Sequence, residues 1–92
     1  MERLSSDNIY QGLYDFIIKN FPAARQSTLQ DTDHLLEKRV IDSLGILEII
    51  SYIESSFGIT VKEIDMINEN FGTIRNIVSF VCRSLEEQYG LR

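Results

Sequence analysis

Apolar residues recur at helical spacing in three separate stretches of the chain, and the polar residues around them mark where each stretch begins and stops. Ile9, Leu13, Phe16 and Ile17 come after the N-cap candidates Ser5, Ser6 and Asp7 and run up to Asn20, which predicts a first helix over residues 7–20, closed by Pro22. From Ser43 onward, Leu44, Leu47, Ile50, Ile53 and Phe57 fall on one stripe while Glu48, Ser51, Glu54 and Ser55 take the other side. That pattern predicts a second helix over residues 43–57. Gly58 supplies its stop, because a residue without Cβ tolerates the left-handed conformation that ends helices. Thr73 is a cap candidate for a last helix, in which Ile74, Ile77, Val78, Val81 and Leu85 keep the period to about Gln88.

The connecting segments are less regular. Between Pro22 and Ile41 the chain is polar, with Ser27, Thr28, Gln30, Asp31, Thr32 and Asp33, but Leu29, Leu35 and Leu36 punctuate it. A loop of that length is unusual in a compact domain unless it is functional or holds a helical turn, and the leucines are expected to pin it down. Ile59-Thr60-Val61 lacks any partner strand, so it reads as a connector whose apolar side chains tuck inward. Residues 63–68 look like a short helical turn presenting Ile64 and Ile67 to the core, and residues 89–92 like a frayed tail. The expected fold is therefore all-α: a small four-helix bundle of three main helices and a short third one, with a long loop between helices one and two, spanning residues 1–92 as a single domain.

At 92 residues, 43% hydrophobic and 25% charged, the chain has the composition of an ordinary globular domain that buries somewhat more than about 60% of its unfolded surface. No apolar run approaches the roughly 20 residues that span a bilayer, and the N-terminus lacks the basic-then-apolar order of a signal peptide. A cytoplasmic monomer without membrane insertion is the expectation. The net charge of −5 and a pI near 4.7 argue against a nucleic-acid partner and for a basic protein partner. With Cys82 the only cysteine and His34 the only histidine, an intrachain disulfide is excluded and a structural zinc site lacks ligands.

Asp42-Ser43-Leu44 stands where the polar loop becomes the second helix. A helix start leaves backbone N–H groups without intrahelical partners and carries the positive end of the macrodipole, so a phosphate attached to the Ser43 hydroxyl would be stabilised there. Ser and Asp are also ordinary N-cap residues, and the tripeptide alone would favour capping.

The residues downstream of it change the odds. The run Asp42-Ser43-Leu44-Gly45-Ile46-Leu47-Glu48-Ile49-Ile50, with Tyr52-Ile53-Glu54 and Phe57-Gly58-Ile59, resembles the second helix of acyl carrier proteins. Glu69-Asn70-Phe71-Gly72-Thr73-Ile74, continued by Ile77-Val78-Ser79-Phe80-Val81, resembles that family's entry into its last helix. The likeness covers the chain from about residue 35 to its end, and the first helix agrees in pattern only.

The resemblance implies that a phosphopantetheinyl transferase attaches the 4′-phosphopantetheine of coenzyme A to Ser43 and that acyl groups ride on the arm as thioesters. It implies that Asp42 supports loading, that the domain is not itself an enzyme, and that partners with basic surfaces read the exposed side of the second helix. Leu44, Ile46, Glu48, Ser51 and Glu54 are the expected partner contacts, the first two by apolar contact and the glutamates by steering. For the glutamates a solvated helix face is the plain alternative. For Leu44, core packing is an equal one.

The second helix is less acidic than in fatty-acid carriers: Gly45 stands where an acid often comes after the serine, and Ser55 and Ser56 replace acids near the helix end. That points to specialised polyketide, aminoacyl or unusual acyl units rather than primary fatty-acid synthesis. Gly45 lowers helix propensity by about 1 kcal/mol relative to Ala, which close approach of the arm or a partner would explain. An unmodified helical adaptor with a carrier-like fold is the rival function. Cys82 reads as a core-edge side chain, His34 as a surface residue, and Glu48 and Glu54, six apart, as no paired-carboxylate site.

Overall fold

The computed structural model describes residues 5–26 and 28–90; Ser27 of the polar loop, the N-terminal residues 1–4, and Leu91 and Arg92 of the tail lie outside them. Among the described residues there are five α-helices, one 3-10 turn and no strand. α1 spans Ser6–Asn20, α2 Pro22–Arg25, α3 Ser43–Phe57, α4 Asn68–Phe71 and α5 Ile74–Tyr89, with the 3-10 turn at Glu63–Asp65. The radius of gyration is 12.6 Å, close to the ~12 Å expected of a folded chain this long. None of the described helices is long and apolar enough to cross a membrane.

Each long helix starts on a side-chain cap. Ser5 accepts the Asn8 N–H at 3.2 Å, Asp42 accepts the Gly45 N–H at 2.8 Å and Thr73 accepts the Asn76 N–H at 3.0 Å. Pro22 does more than end α1. It opens the single turn α2 from the position where a missing N–H costs nothing, and Arg25 reaches back to the Ile18 and Lys19 carbonyls at 2.7 and 3.0 Å to satisfy the end of α1.

α1 and α5 form the main packing pair, with Ile9, Leu13 and Ile17 set against Ile74, Ile77 and Val81. α3 adds Ile49, Ile50 and Ile53 to the same core. The long loop is held as expected by Leu29 and Leu35, together with Val40 and Ile41, all buried. Its backbone is also sewn to the far end of the chain. The Leu35 N–H donates to the Gly72 carbonyl and the Arg75 N–H to the Asp31 carbonyl, both at 2.9 Å. Leu36, the third leucine, is exposed. Ile59 and Val61 tuck inward, and the connector between them is clamped by the Gln88 side chain, which bonds both the N–H and the carbonyl of Thr60.

Three expectations are corrected. The stripe of α3 is rotated: Leu44 is 70% exposed and Leu47 52%, while Gly45 and Ile49 take the core side beside Ile50 and Ile53. The turn expected over 63–68 is two pieces, because the backbone is extended at Ile67 and restarts as α4. Ile64 and Ile67 consequently face outward, at 79% and 48% exposure, and Phe71 fills the core position against Phe80 at 5.2 Å between ring centres. The tail is ordered as far as Gly90, where a left-handed residue caps α5, and the Tyr89 hydroxyl donates to the Gly58 carbonyl.

Candidate functional site

Ser43 is the first residue of α3, exposed, with a hydroxyl that makes no hydrogen bond among the described residues. The capping duty that either side chain could have taken falls to Asp42. Beyond the Gly45 N–H held by the Asp42 carboxylate and the Ile46 N–H held by the Asp42 carbonyl at 3.2 Å, the Ser43 and Leu44 N–H groups at this helix start have no acceptor among the described residues. An anion linked to Ser43 thus meets two open donors and the positive end of a 15-residue helix.

Ser43 opens onto a basin of about 730 Å³ whose walls include Asn20, Phe21, Pro22, Arg39 and Val40. Arg39 has a φ of 57°, in the left-handed region that residues other than glycine seldom occupy. Its guanidinium forms no ion pair among the described residues, where the two ion pairs join Lys38 to Asp33 and Arg75 to Asp31. The residues around Ser43 therefore fit a phosphodiester: a free hydroxyl to carry it, free N–H donors beside it and an unpaired cation on the same basin.

Gly45 has a local explanation. A Cβ at that position would lie 2.9 Å from Phe21 Cε1 and 3.1 Å from Ile41 Cβ, so the first turn of α3 is seated on the chain's own loop and α1–α2 corner. The close approach expected of an arm or a partner is made by these two side chains.

The expected partner contacts divide. Leu44 is solvent-facing, and so settles against core packing. Glu48 is exposed and borders the Ser43 basin, and Ser51 lies one turn further along the same side of α3. Ile46 is half-buried on another side, in a small notch with Leu36, Met66, Ile67 and Phe71. Glu54 is half-buried, and its carboxylate accepts the Val61 N–H at 2.9 Å, anchoring the connector. Asn20, Arg39 and Leu47 were missed as site or surface residues. For Leu47 the sequence held half a signal: Ile46 and Ile49, unassigned by a single stripe, implied that some apolar residue of α3 stays outside, but not which one.

Other reactive side chains stand apart. Cys82 is half-buried and its thiol is pushed up, first by burial and then by Glu86, which disfavours the thiolate. Burial likewise raises Tyr52, which stacks on Phe16 with ring centres 4.4 Å apart. Among the described residues no three His, Cys, Asp or Glu side chains gather as a metal site. No protein-family model and no curated protein sequence matches the chain, so the chemistry of this site rests on its own residues.

Proposed function

We propose that the chain is an acyl carrier: Ser43 bears a 4′-phosphopantetheine arm installed from coenzyme A by a phosphopantetheinyl transferase. The observation that carries this reading is the exposed, unbonded Ser43 hydroxyl at the start of α3, with Asp42 taking the cap and two N–H groups left free beside it. In loading, Ser43 Oγ forms a bond to the phosphorus of the coenzyme A diphosphate and the bond to the 3′,5′-ADP leaving group breaks. The serine proton passes to the transferase. Once attached, the arm supplies a terminal thiol that holds acyl groups as thioesters, at high effective concentration near partner active sites.

On this reading the chain's own residues bind and present but catalyse nothing. Asp42 holds the helix start in register for the transferase, and Ser43 and Leu44 N–H groups together with Arg39 hold the phosphodiester. Partners with basic surfaces read α3. Because Glu54 is already engaged by Val61, steering rests mainly on Glu48, and apolar contact on Leu44, an arrangement suited to a specialised acyl, aminoacyl or polyketide route.

The exposed Leu44 and Leu47 also favour a second reading, an unmodified adaptor that uses α3 only to bind protein. Incubation with coenzyme A and a permissive transferase, and then intact-mass measurement, separates the two. Wild type should gain one phosphopantetheine and Ser43→Ala none. Asp42→Asn, which keeps a cap, should load more slowly with unchanged helicity. No gain under conditions that load a control carrier would overturn the carrier reading in favour of the adaptor.

A further inference from the structure

The two irregular stretches of the chain are held in different ways. The long loop after α2 buries Leu29, Leu35, Val40 and Ile41 and is joined by two backbone hydrogen bonds to the far end of the chain. Residues 62–69 bury no side chain, and Ile64, Met66 and Ile67 among them are exposed. A segment without core contacts opens at lower free energy than the helices around it, so its opening is set by the few bonds that tie it down.

Those bonds can be followed one by one. Just before the segment the connector is fixed: Glu54 accepts the Val61 N–H, Gln88 clamps Thr60 and the Tyr89 hydroxyl donates to the Gly58 carbonyl. At its far end α4 is fixed, by Phe71 against Phe80, by the Leu35 N–H on the Gly72 carbonyl and by Arg83 donating to Asn70 Oδ1 at 2.9 Å. Between these anchors the 3-10 turn is bonded to itself. The Lys62 N–H donates to the Asp65 carboxylate at 3.1 Å and the Asp65 N–H to the Lys62 carbonyl at 2.9 Å. The Met66 N–H donates to the Glu63 carbonyl at 3.1 Å and the Ile67 N–H to the Asp65 carbonyl at 2.9 Å. The Ile67 carbonyl belongs to α4, where it accepts the Asn70 and Phe71 N–H groups.

One hydrogen bond among the described residues then joins the turn to its surroundings: the Asn70 side-chain N–H donates to the Asp65 carbonyl at 2.8 Å. We infer that residues 62–66 form a strap hinged at Val61 and Ile67, that Asn70 is its catch, and that releasing the catch lifts the strap off Ile46. Asn70 is suited to this duty because Arg83 holds its amide oxygen, which leaves the amide nitrogen for the strap. Ile67 is suited to be the joint: its backbone is extended, with φ −126° and ψ 161°, between two helical turns, so rotation there breaks no helical bond.

Ile46 lines one small notch with Met66 and Ile67, and the exposed Leu47 is the next residue of α3. With the strap lifted, α3 presents Ile46 beside Leu47. The strap thereby sets how much apolar surface of α3 a partner can reach. This goes beyond the carrier reading and holds with or without an arm on Ser43.

The test reads thiol labelling in a Cys82→Ala background, with the reporter thiol placed by Ile46→Cys. Asn70→Asp keeps the acceptor for Arg83 and loses the donor to Asp65. It should speed labelling at position 46 about 2–10-fold, the factor that one hydrogen bond is worth. Labelling of Leu35→Cys, buried beside Gly72, and of the exposed Leu47→Cys should keep the rates seen with Asn70 in place. Should Asn70→Asp fail to fold, Arg83→Ala, which frees the Asn70 side chain to turn, is expected to act in the same direction. An unchanged rate at position 46 would overturn the inference. Equal acceleration at position 35 would overturn it as well, because α4 would then be moving with the turn.

Discussion

α3 and α5 are of nearly equal length, and the sequence of α3 is the more apolar, yet α5 contributes more to the core. α5 buries Ile74, Ile77, Val78, Phe80, Val81, Ser84 and Leu85 on one face and keeps Arg75, Ser79 and Arg83 outside. α3 buries Gly45, Ile49, Ile50 and Ile53 and leaves Leu44 and Leu47 in solvent. Apolar content is therefore not a measure of burial. A helix whose apolar residues exceed its core-facing stripe presents the surplus to something else, and in this chain the surplus flanks Ser43.

The contrast can be broken most directly by truncation. Ile77→Ala, at a fully buried position of α5, should destabilise the domain by about 2–5 kcal/mol in urea unfolding. Leu47→Ala, at an exposed position of α3, should change it by no more than about 0.5 kcal/mol. Comparable losses would mean that α3 is as structural as α5.

A smaller effect sharpens the account of how α3 is seated. Gly45→Ala adds about 1 kcal/mol of helix propensity but crowds Phe21 and Ile41, an overpacking worth about 1–3 kcal/mol, so a net loss of about 1 kcal/mol is expected. A raised denaturation midpoint would show that the first turn of α3 is not packed against that corner.

The smallest effect concerns the loop that ties the start of α3 to α5. The Gln30 N–H, and after it the Lys38 ammonium, hold the Asp33 carboxyl below its ordinary pKa of 3.8. A depressed folded-state pKa contributes stability above the unfolded value, and that contribution is lost as pH falls through the folded one. Asp33→Asn should accordingly flatten the stability loss on acidification below about pH 4. An unchanged acid limb would remove Asp33 from the loop's support.

Much of this fold is legible in the chain alone. The three long helices, the cap at Thr73, the stop at Gly58 and the inward connector at Ile59 and Val61 are local matters, set by hydrogen bonds and φ angles within a few residues, whereas Ser5 among residues 5–7 and Asp42 over Ser43 were chosen as caps only in the folded chain. The rotated face of α3 is not legible there, because apolar residues at 44, 46, 47, 49, 50 and 53 admit more than one stripe. Nor is the break at Ile67, which depends on Phe71 finding Phe80 from α4.

By itself, then, the sequence determined an all-helical chain with a serine at a helix start, because capping and periodicity act over one or two turns. Only the tertiary structure decided which side of that helix meets solvent, why residue 45 has no side chain, and which residues border Ser43. Those outcomes depend on where Phe21, Ile41 and Phe16 come to lie, and side chains brought together across the chain leave no mark in the local period.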